Sequence, residues 1–348
     1  MRLRRADCSG PGITRRRAGR GFTYLDEYGR RIDDPEVLQR IRELGIPPAW
    51  EDVWICPYPN GHLQATGTDA AGRKQYRYHD VWRARRDAQK FDEMAEFARA
   101  LPALRERVEA NLSATDRLTR ERVLACAVRL LDRGFFRVGG EDYAVQNESY
   151  GLATMRKEHV TVEPDGTLVF DYPSKSGQRR VQSVVDPLAT DVVARLKRRR
   201  GGGPELLAYK DRDGWRDIRS PEINAYLKEA TGGDFSAKDF RTWSATVLAA
   251  LALSVSAAAA RGVTSRKRAI SRAVQEVAHY LGNTPAVARA SYIDPRVFDA
   301  YRAGLVITPE VPDTGEGELP IHHRAVEEAV LDLLNERERA PGVERIAA

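Results

Sequence analysis

The chain has 348 residues, of which 42% are hydrophobic and 30% are charged. This length allows two domains with a substantial buried core. No apolar run approaches the 18 residues of a membrane-spanning helix, so no membrane partner is expected. The three cysteines are scattered and fit neither a disulfide framework nor a zinc site, which is typical of a protein in the reducing cytoplasm.

The positive charge is distributed unevenly along the chain. Residues 1–20 contain seven arginines and one aspartate, whereas residues 310–348 contain ten acidic residues and four arginines. Arginine outnumbers lysine 47 to 9 overall. Guanidinium groups match phosphate oxygens in pairs, so this bias favours a nucleic-acid partner. Because a GC-rich genome also raises the arginine content, composition alone leaves the partner open.

The first part of the chain predicts a basic segment followed by a small domain. Residues 1–20 contain glycine and proline but no apolar period, and we expect a flexible basic arm. Residues 21–90 are predicted to form a small β-rich domain that contains a short amphipathic helix near 35–44. Its strands are expected near Phe22 and Tyr24 and over 53–57, 62–66 and 74–78.

The rest of the chain predicts a mainly helical domain, so the expected fold class is α+β. We expect this domain to span residues 91–310. Residues 158–184 interrupt its helices with three short β runs separated by turns, which predicts a three-stranded antiparallel meander. Residues 311–348 are expected to form an acidic tail, mobile at first, with a terminal helix near 322–337. Helical spacing is found near 91–110, 117–133, 187–200, 221–230, 237–259, 270–281 and 296–302.

Two basic residues stand where local structure does not require them. Arg137 follows a helix predicted to end at Gly134 and has apolar neighbours, so its guanidinium needs a partner in a cleft or a structural salt bridge. Lys175 lies at the tip of the meander's second turn, where a lysine is usually solvated. Lysine can lose a proton when its pKa is lowered, whereas arginine essentially cannot, so a proton donor among so many arginines has to be lysine.

A third segment places an arginine near the start of a helix. Ser236 and Asp239 have the spacing of a capping box, which puts Arg241 in the first two helical turns. A helix N-terminus favours an anion, and an arginine there adds a bidentate phosphate clamp. The structural alternative is a surface arginine lying over Trp243.

A fourth segment contains a tyrosine close to the end of a short helix. Thr284 and Pro285 are typical of a helix start, and Tyr292 lies near the far end of that helix. A buried tyrosine usually packs and donates a hydrogen bond, so local evidence alone interprets Tyr292 as part of the core.

Together these segments resemble the active site of the type IB topoisomerases, specifically the small poxvirus-like branch found in bacteria. The shared order is Arg, Lys, Lys-x-x-Arg, Asn and Tyr, with Asn283 nine residues before Tyr292. The resemblance runs from about residue 20 to 305 and includes residues 151–160. In the N-terminal domain, residues 46–50, 61–65 and 72–79 are similar to the family's DNA-contacting segments.

The resemblance implies a role for each of the five residues. Tyr292 would attack a backbone phosphorus and form a 3′-phosphotyrosyl bond. Arg137 and Arg241 would contact the non-bridging oxygens, and Lys175 would protonate the leaving 5′-oxygen. Asn283 would donate a further hydrogen bond where many members have histidine. It cannot titrate, so an acid or base role at this position is not implied.

The implied function is relaxation of positive and negative supercoils without ATP or metal. One phosphodiester is exchanged for another of similar energy, and the sequence has no P-loop or acidic metal cluster, so no cofactor is expected. The implied partner is double-stranded DNA, bound by a monomer associated with the nucleoid in the cytoplasm. Expected DNA contacts are Arg73, Lys74, Gln75, Tyr76, Tyr78, Arg83, Arg85 and Tyr143.

Two alternatives remain at the level of sequence. A tyrosine recombinase shares the nucleophile chemistry, but its usual motif is His-x-x-Arg, whereas this chain has Lys238 three residues before Arg241. A non-enzymatic DNA-binding protein is disfavoured because all five catalytic positions are filled. Gly140 stands where the family has a basic residue, so a base preference that depends on that residue is not implied.

Overall fold

The chain folds into two compact units. The computed structural model describes residues 1–141, 144, 148–257, 262–308, 320–335 and 340–345. The N-terminal unit is Met1–Phe91 and the C-terminal unit is Asp92–Ala348. An antiparallel sheet followed by a helix-rich unit with its own three-stranded sheet confirms the predicted α+β class.

A five-stranded antiparallel sheet in the order β2-β1-β3-β4-β5 forms the N-terminal unit. One face of the sheet carries Ile13, Ile55 and Ala65, which pack with the apolar side of helix α1 to form the core. Asp34 caps α1 by accepting a hydrogen bond from the backbone N–H of Glu36. The elements are β1 (Ile13–Ala18), β2 (Gly21–Leu25), α1 (Pro35–Glu43), β3 (Glu51–Ile55), β4 (Leu63–Thr68) and β5 (Lys74–Tyr78).

The prediction of a flexible arm over residues 1–20 is wrong for Ile13–Ala18. These residues form β1, which pairs with β2 on one side and β3 on the other. Ile13 is buried, and the Arg15 guanidinium donates to the carbonyl oxygens of Pro47 at 3.1 Å and Trp50 at 2.5 Å. The consecutive arginines hide the strand in the sequence, because the groups that hold Arg15 are more than thirty residues away.

Helix α6 (Ala237–Ala257) forms the centre of the C-terminal unit. By length and composition α6 could cross a membrane, but 67% of its most apolar window is buried inside the unit, as in the core helix of a globular protein. The other helices are α2 (Asp80–Ser113, which begins in the N-terminal unit), α3 (Arg120–Gly134), α4 (Pro187–Arg198), α5 (Ser220–Thr231), α7 (Val263–Leu281), α8 (Pro285–Ser291), α9 (Pro295–Arg302) and α10 (Arg324–Leu334).

The predicted meander is confirmed as a three-stranded antiparallel sheet. Its strands are β6 (Val160–Val162), β7 (Leu168–Pro173) and β8 (Arg179–Val184), in that order. Register pairs Pro173 with Arg179, so the turn between β7 and β8 projects from the end of the hairpin. Two small hairpins complete the unit: β9 (Ala208–Lys210) with β10 (Trp215–Asp217), and β11 (Leu305–Ile307) with β12 (Val343–Arg345).

The C-terminal segment is a packed part of the unit rather than only a tail. The helix expected near 322–337 is present as α10, which buries Val326, Val330 and Leu333, and β12 pairs with β11. The stretch expected to be mobile falls mainly on residues 309–319, outside the described residues.

Candidate active site

A cleft of about 350 Å³ in the C-terminal unit brings together side chains from distant parts of the sequence. They come from the segment after α3, the tip of the β7–β8 hairpin, the first turns of α6 and the residue that follows α8. The lining includes four of the five predicted catalytic residues, Arg137, Lys175, Arg241 and Tyr292, together with Lys238. The fifth, Asn283, bonds to Arg137.

Arg137 is held at the cleft by the way α3 ends. Gly134 is the last helical residue, and Phe135 takes the left-handed conformation with φ of 54°. The Arg137 guanidinium donates to Ser174 Oγ at 3.1 Å, to the Gly282 carbonyl oxygen at 2.9 Å and to Asn283 Oδ1. Within the described residues these partners are a hydroxyl, a carbonyl and an amide, and none is the carboxylate that the salt-bridge alternative requires.

Arg241 is a buried cation directly beside the predicted nucleophile. Ser236 Oγ and Asp239 Oδ2 lie 3.0 Å apart at the start of α6, in keeping with the capping-box spacing. Only 3% of Arg241 is exposed, so the alternative of a surface arginine is wrong. Its guanidinium donates to the Phe135 carbonyl oxygen and to that of Leu281 at 2.9 Å. Burial, followed by the nearby charge of Arg137, lowers the pKa of Arg241 to about 10, which leaves it charged at neutral pH.

Tyr292 follows α8 directly, with its backbone anchored to α6. Thr284 caps α8 and Pro285 is its first residue, as predicted. The Tyr292 N–H donates to the Ala288 carbonyl oxygen, and the Tyr292 carbonyl oxygen lies 3.4 Å from Thr246 Oγ1. The Arg241 guanidinium carbon lies 5.2 Å from the centre of the Tyr292 ring.

Charge at the site favours the ionised form of the Tyr292 phenol. Burial raises the pKa of Tyr292, but the charge and hydrogen bond of Arg241 oppose it, with further contributions from Asn283 and Arg137. The net result is a pKa below the ordinary value for tyrosine.

Lys175 lies in a short 3-10 turn, Lys175–Gly177, at the tip of the hairpin. Its side chain is exposed and lines the cleft. The preceding residue, Ser174, is 4% exposed and accepts the hydrogen bond from Arg137. The hairpin tip is therefore tied to the segment that carries Arg137.

Three arginines hold successive carbonyl groups at the C-terminal end of α7. Arg180 donates to the carbonyl oxygens of His279 at 3.3 Å and Tyr280, Arg241 to that of Leu281, and Arg137 to that of Gly282. A helix C-terminus is partially negative, which suits this arrangement. Sequence reasoning missed Arg180, Ser174 and Thr246, because their partners lie far along the chain and leave no local signal.

The predicted DNA contacts of the N-terminal unit lie on β5, which is an edge strand of the sheet, and on α2. The Tyr76 and Tyr78 rings are stacked with centres 6.1 Å apart, and both are exposed. Arg73 pairs with Asp69 at 2.9 Å, and Gln75 donates to the same carboxylate at 2.8 Å. The side chains of Lys74, Arg83 and Arg85 are exposed, and Tyr143 lies outside the described residues.

Among the described residues no group of three or more histidine, cysteine or acidic side chains is arranged to hold a metal ion.

Family comparison covers both units. The chain matches the family model described as the catalytic core of eukaryotic DNA topoisomerase I over residues 79–303, and the one described as the N-terminal domain of bacterial DNA topoisomerase IB over residues 21–69. It is 32% identical over 297 residues to DNA topoisomerase 1B of Acanthamoeba polyphaga mimivirus, which covers 84% of this chain and 88% of that protein.

More distant relatives include proteins of a virus and of a yeast. DNA topoisomerase 1B of vaccinia virus (strain Copenhagen) is 20% identical over 299 residues, 82% of this chain and 88% of that protein. DNA topoisomerase 1 of Schizosaccharomyces pombe is 32% identical over 130 residues, 37% of this chain and 15% of that protein. With a family model matching more than half of the chain and a relative 32% identical over 84% of it, this chain belongs to the type IB DNA topoisomerases.

Proposed function

We propose that this topoisomerase relaxes positive and negative supercoils by joining one DNA strand transiently to Tyr292. The other end of the cut strand would swivel before the strand is resealed, without ATP or metal. The observation that carries the proposal is the buried Arg241 guanidinium 5.2 Å from the Tyr292 ring, in a cleft that Arg137 and Lys175 also line.

The first step is attack of Tyr292 Oη on a backbone phosphorus. A phenol with an ordinary pKa near 10 is a poor nucleophile at neutral pH. The lowered pKa of Tyr292, to which Arg241 contributes, makes the phenolate easier to form. As the new P–O bond forms, the bond from phosphorus to the 5′-oxygen breaks and leaves a 3′-phosphotyrosyl link.

Hydrogen-bond donors that are already held in position would stabilise the negative charge that develops on the phosphoryl oxygens. Arg137 and Arg241 are held by backbone carbonyls, so little reorganisation is needed when the phosphate arrives. The Asn283 amide is oriented by its bond to Arg137 and contributes, through a hydrogen bond, to the lowered pKa of Tyr292. Its buried Nδ2 would donate to a phosphoryl oxygen when the phosphate arrives beside Tyr292.

The leaving 5′-oxygen needs a proton, which Lys175 Nζ would supply. In the reverse step the 5′-hydroxyl returns its proton to Lys175 and attacks the phosphotyrosyl phosphorus, which releases Tyr292. Cutting and resealing are the same exchange of phosphodiesters in opposite directions. The covalent bond retains the energy for resealing, so ATP has no step to drive.

The N-terminal unit would contact the duplex through the edge strand β5 and the start of α2. Tyr76 and Tyr78 offer exposed rings, and Lys74, Arg83 and Arg85 offer charges that position the phosphates. Arg73, Gln75 and Tyr143 complete the proposed contacts. All five catalytic groups come from one chain, so we propose that a monomer acts on DNA in the cytoplasm, at the nucleoid.

Relaxation of plasmid DNA tests the proposal directly. In EDTA and without ATP, the protein should relax both positively and negatively supercoiled plasmid, whereas Tyr292→Phe should bind duplex but form no covalent adduct. Tyr292→Phe removes only the nucleophilic oxygen. An adduct that persists in this variant would assign the nucleophile elsewhere, and failure of the wild type to relax either plasmid would overturn the proposed activity.

A further inference from the structure

The arginine-rich start of the chain lies outside both matching family segments but inside the fold. The family models match from residue 21 onward, whereas seven arginines lie within residues 2–20, here called the arginine segment. Strand β1 of this segment occupies an inner position in the sheet, between β2 and β3. Three of these arginines, Arg15, Arg16 and Arg17, therefore lie in the same sheet as the proposed DNA contacts of β5.

Strand register places Arg16 on the face of the sheet that carries Tyr76. Thr14 pairs with Trp54, Trp54 with Thr66, and Thr66 with Tyr76. Directly opposed residues point to the same face of an antiparallel sheet, and residues two apart on one strand share that face. Arg16 therefore shares the face of Tyr76, which lies opposite the face packed on α1.

Residues before β1 are fixed beside the same tyrosines. Arg4 receives a hydrogen bond at its carbonyl from the His62 N–H at 2.8 Å, and its own N–H donates to the Asn60 carbonyl oxygen at 2.9 Å. The Ala6 N–H donates to His62 Nδ1 at 3.0 Å. The centre of the His62 ring lies 6.4 Å from that of Tyr78. This stretch thus runs alongside the end of β5.

Most of the segment's charge is available to an outside partner. Arg15 is committed to the backbone of residues 46–50, and Arg4 lies over the Tyr58 ring at 3.6 Å. The other five side chains are exposed, and within the described part of the chain none of them forms an ion pair with a carboxylate: Arg2, Arg5, Arg16, Arg17 and Arg20. Unneutralised guanidinium groups beside exposed tyrosines suit a regular array of phosphates.

We propose that the arginine segment extends the DNA-binding surface and contacts duplex phosphates next to those reached by β5. The inference rests on the proposed DNA-binding role of β5. Contacts of this kind carry no base preference and add salt-dependent affinity, because each one releases counterions from the duplex. Arg2, Arg5 and Arg16 are the residues that carry the contact.

The salt dependence of duplex binding measures such contacts. The triple variant Arg2→Gln, Arg5→Gln, Arg16→Gln should make the slope of log K against log salt shallower by about 2 to 3, since each phosphate contact contributes about 0.9. A charge-matched control is Arg17→Gln, Arg30→Gln, Arg31→Gln. Arg17 points to the other face of β1, and Arg30 and Arg31 pair with Asp26 and Asp33 at 2.9 Å. The control should keep the wild-type slope.

The outcomes separate this inference from the proposed function. Cleavage of a suicide substrate at saturating DNA should keep its wild-type rate in the triple variant, because the cleft is untouched. A triple-variant slope equal to that of wild type or of the control, with a shallower slope in Lys74→Gln, would overturn the arginine-segment contact alone. An unchanged slope in Lys74→Gln would instead count against the proposed role of β5.

Discussion

Lys175 is exposed at the tip of the β7–β8 hairpin, and its proposed role is to donate a proton to the leaving 5′-oxygen. Lys175→Ala should slow cleavage of ordinary DNA about 10²- to 10⁴-fold, the usual range for a general acid. It should barely slow cleavage of a 5′-bridging phosphorothiolate, whose sulfur leaves without a proton. Lys238→Ala is the matched control, because it removes the same charge from the same cleft. Single-turnover cleavage rates on both substrates test this prediction. If Lys175→Ala slowed cleavage of the two substrates equally, Lys175 would not be the general acid.

The ionisation of Tyr292 depends on its neighbour Arg241. Burial alone would raise the pKa of Tyr292, but Arg241, together with Asn283 and Arg137, lowers it below the ordinary value. Arg241→Gln removes that charge but keeps the burial, so the pKa of Tyr292 should rise. The phenolate should then appear at higher pH than in the wild type.

Ultraviolet difference titration can isolate this one phenol. Each protein is compared with the same protein carrying Tyr292→Phe, so that the other tyrosines cancel. A midpoint for Tyr292 that does not move in Arg241→Gln would show that the arginine does not control its ionisation.

Gly282 follows the last residue of α7, at the point where Arg241 donates to the Leu281 carbonyl oxygen and Arg137 to that of Gly282. Its φ is +59°, and an added Cβ would lie 2.7 Å from Arg180 Nη1. Gly232 ends α5 with a similar φ of +70° but has no atom within 4 Å of an added Cβ. Alanine at either position should cost about 1 kcal/mol of unfolding free energy through the backbone. Only Gly282→Ala should also slow single-turnover cleavage, and equal rates in the two variants would contradict the role of Gly282.

At the scale of elements, α10 is joined to α6 by a buried charge network. Arg105 donates to Asp132 at 2.8 Å and to Glu327 at 2.6 Å, and Trp243 Nε1 donates to Glu327 at 2.9 Å. Burial raises the pKa of Asp132, but Arg105 lowers it to about 2. The ionised Asp132 carboxylate therefore contributes fully to stability above about pH 4, which is near the pKa of an aspartate in the unfolded chain. This contribution is lost as the pH falls toward 2.

Glu327→Ala should lower the free energy of unfolding by about 3 kcal/mol, because it leaves the part-buried Arg105 and the buried Trp243 indole N–H short of a partner. Glu328 is the adjacent control: its side chain is exposed and pairs with Arg324 at the surface at 2.7 Å. Glu328→Ala should change stability by less than about 0.5 kcal/mol. Urea unfolding monitored by circular dichroism measures the stability of both variants. Similar unfolding midpoints would show that the charge network does not stabilise the packing of α10.

At the scale of the whole molecule, local patterns predicted more of the fold than of the site. Apolar periods and turn residues located the helices and the meander, because those signals lie within a few residues of each other. The convergence of Arg137, Arg241 and Asn283 could be expected only from the family resemblance. Arg180 and Thr246 were missed because each acts on backbone atoms far along the chain, which no residue spacing records.

The two ends of the chain were the least predictable. High charge led to the expectation of a flexible arm and an acidic tail, yet Ile13–Ala18 lies within a sheet and α10 packs into the C-terminal unit. In both places the charged groups find distant partners: Arg15 bonds to backbone carbonyls, and Glu327 bonds to Arg105. The high charge content of these two segments therefore predicted solvent-exposed side chains, whereas the folded protein provides hydrogen-bond partners for them.

Helix α6 carries both Arg241 and Thr246, five residues apart. Thr246 Oγ1 accepts the Asp294 N–H at 3.1 Å and lies 3.4 Å from the Tyr292 carbonyl oxygen, so it fixes the backbone on both sides of Ile293. The separation of Arg241 from Tyr292 is thus set by one rigid helix rather than by the fifty residues between them. Insertions and deletions between α6 and α7 can accumulate during evolution without altering the spacing of the reacting pair.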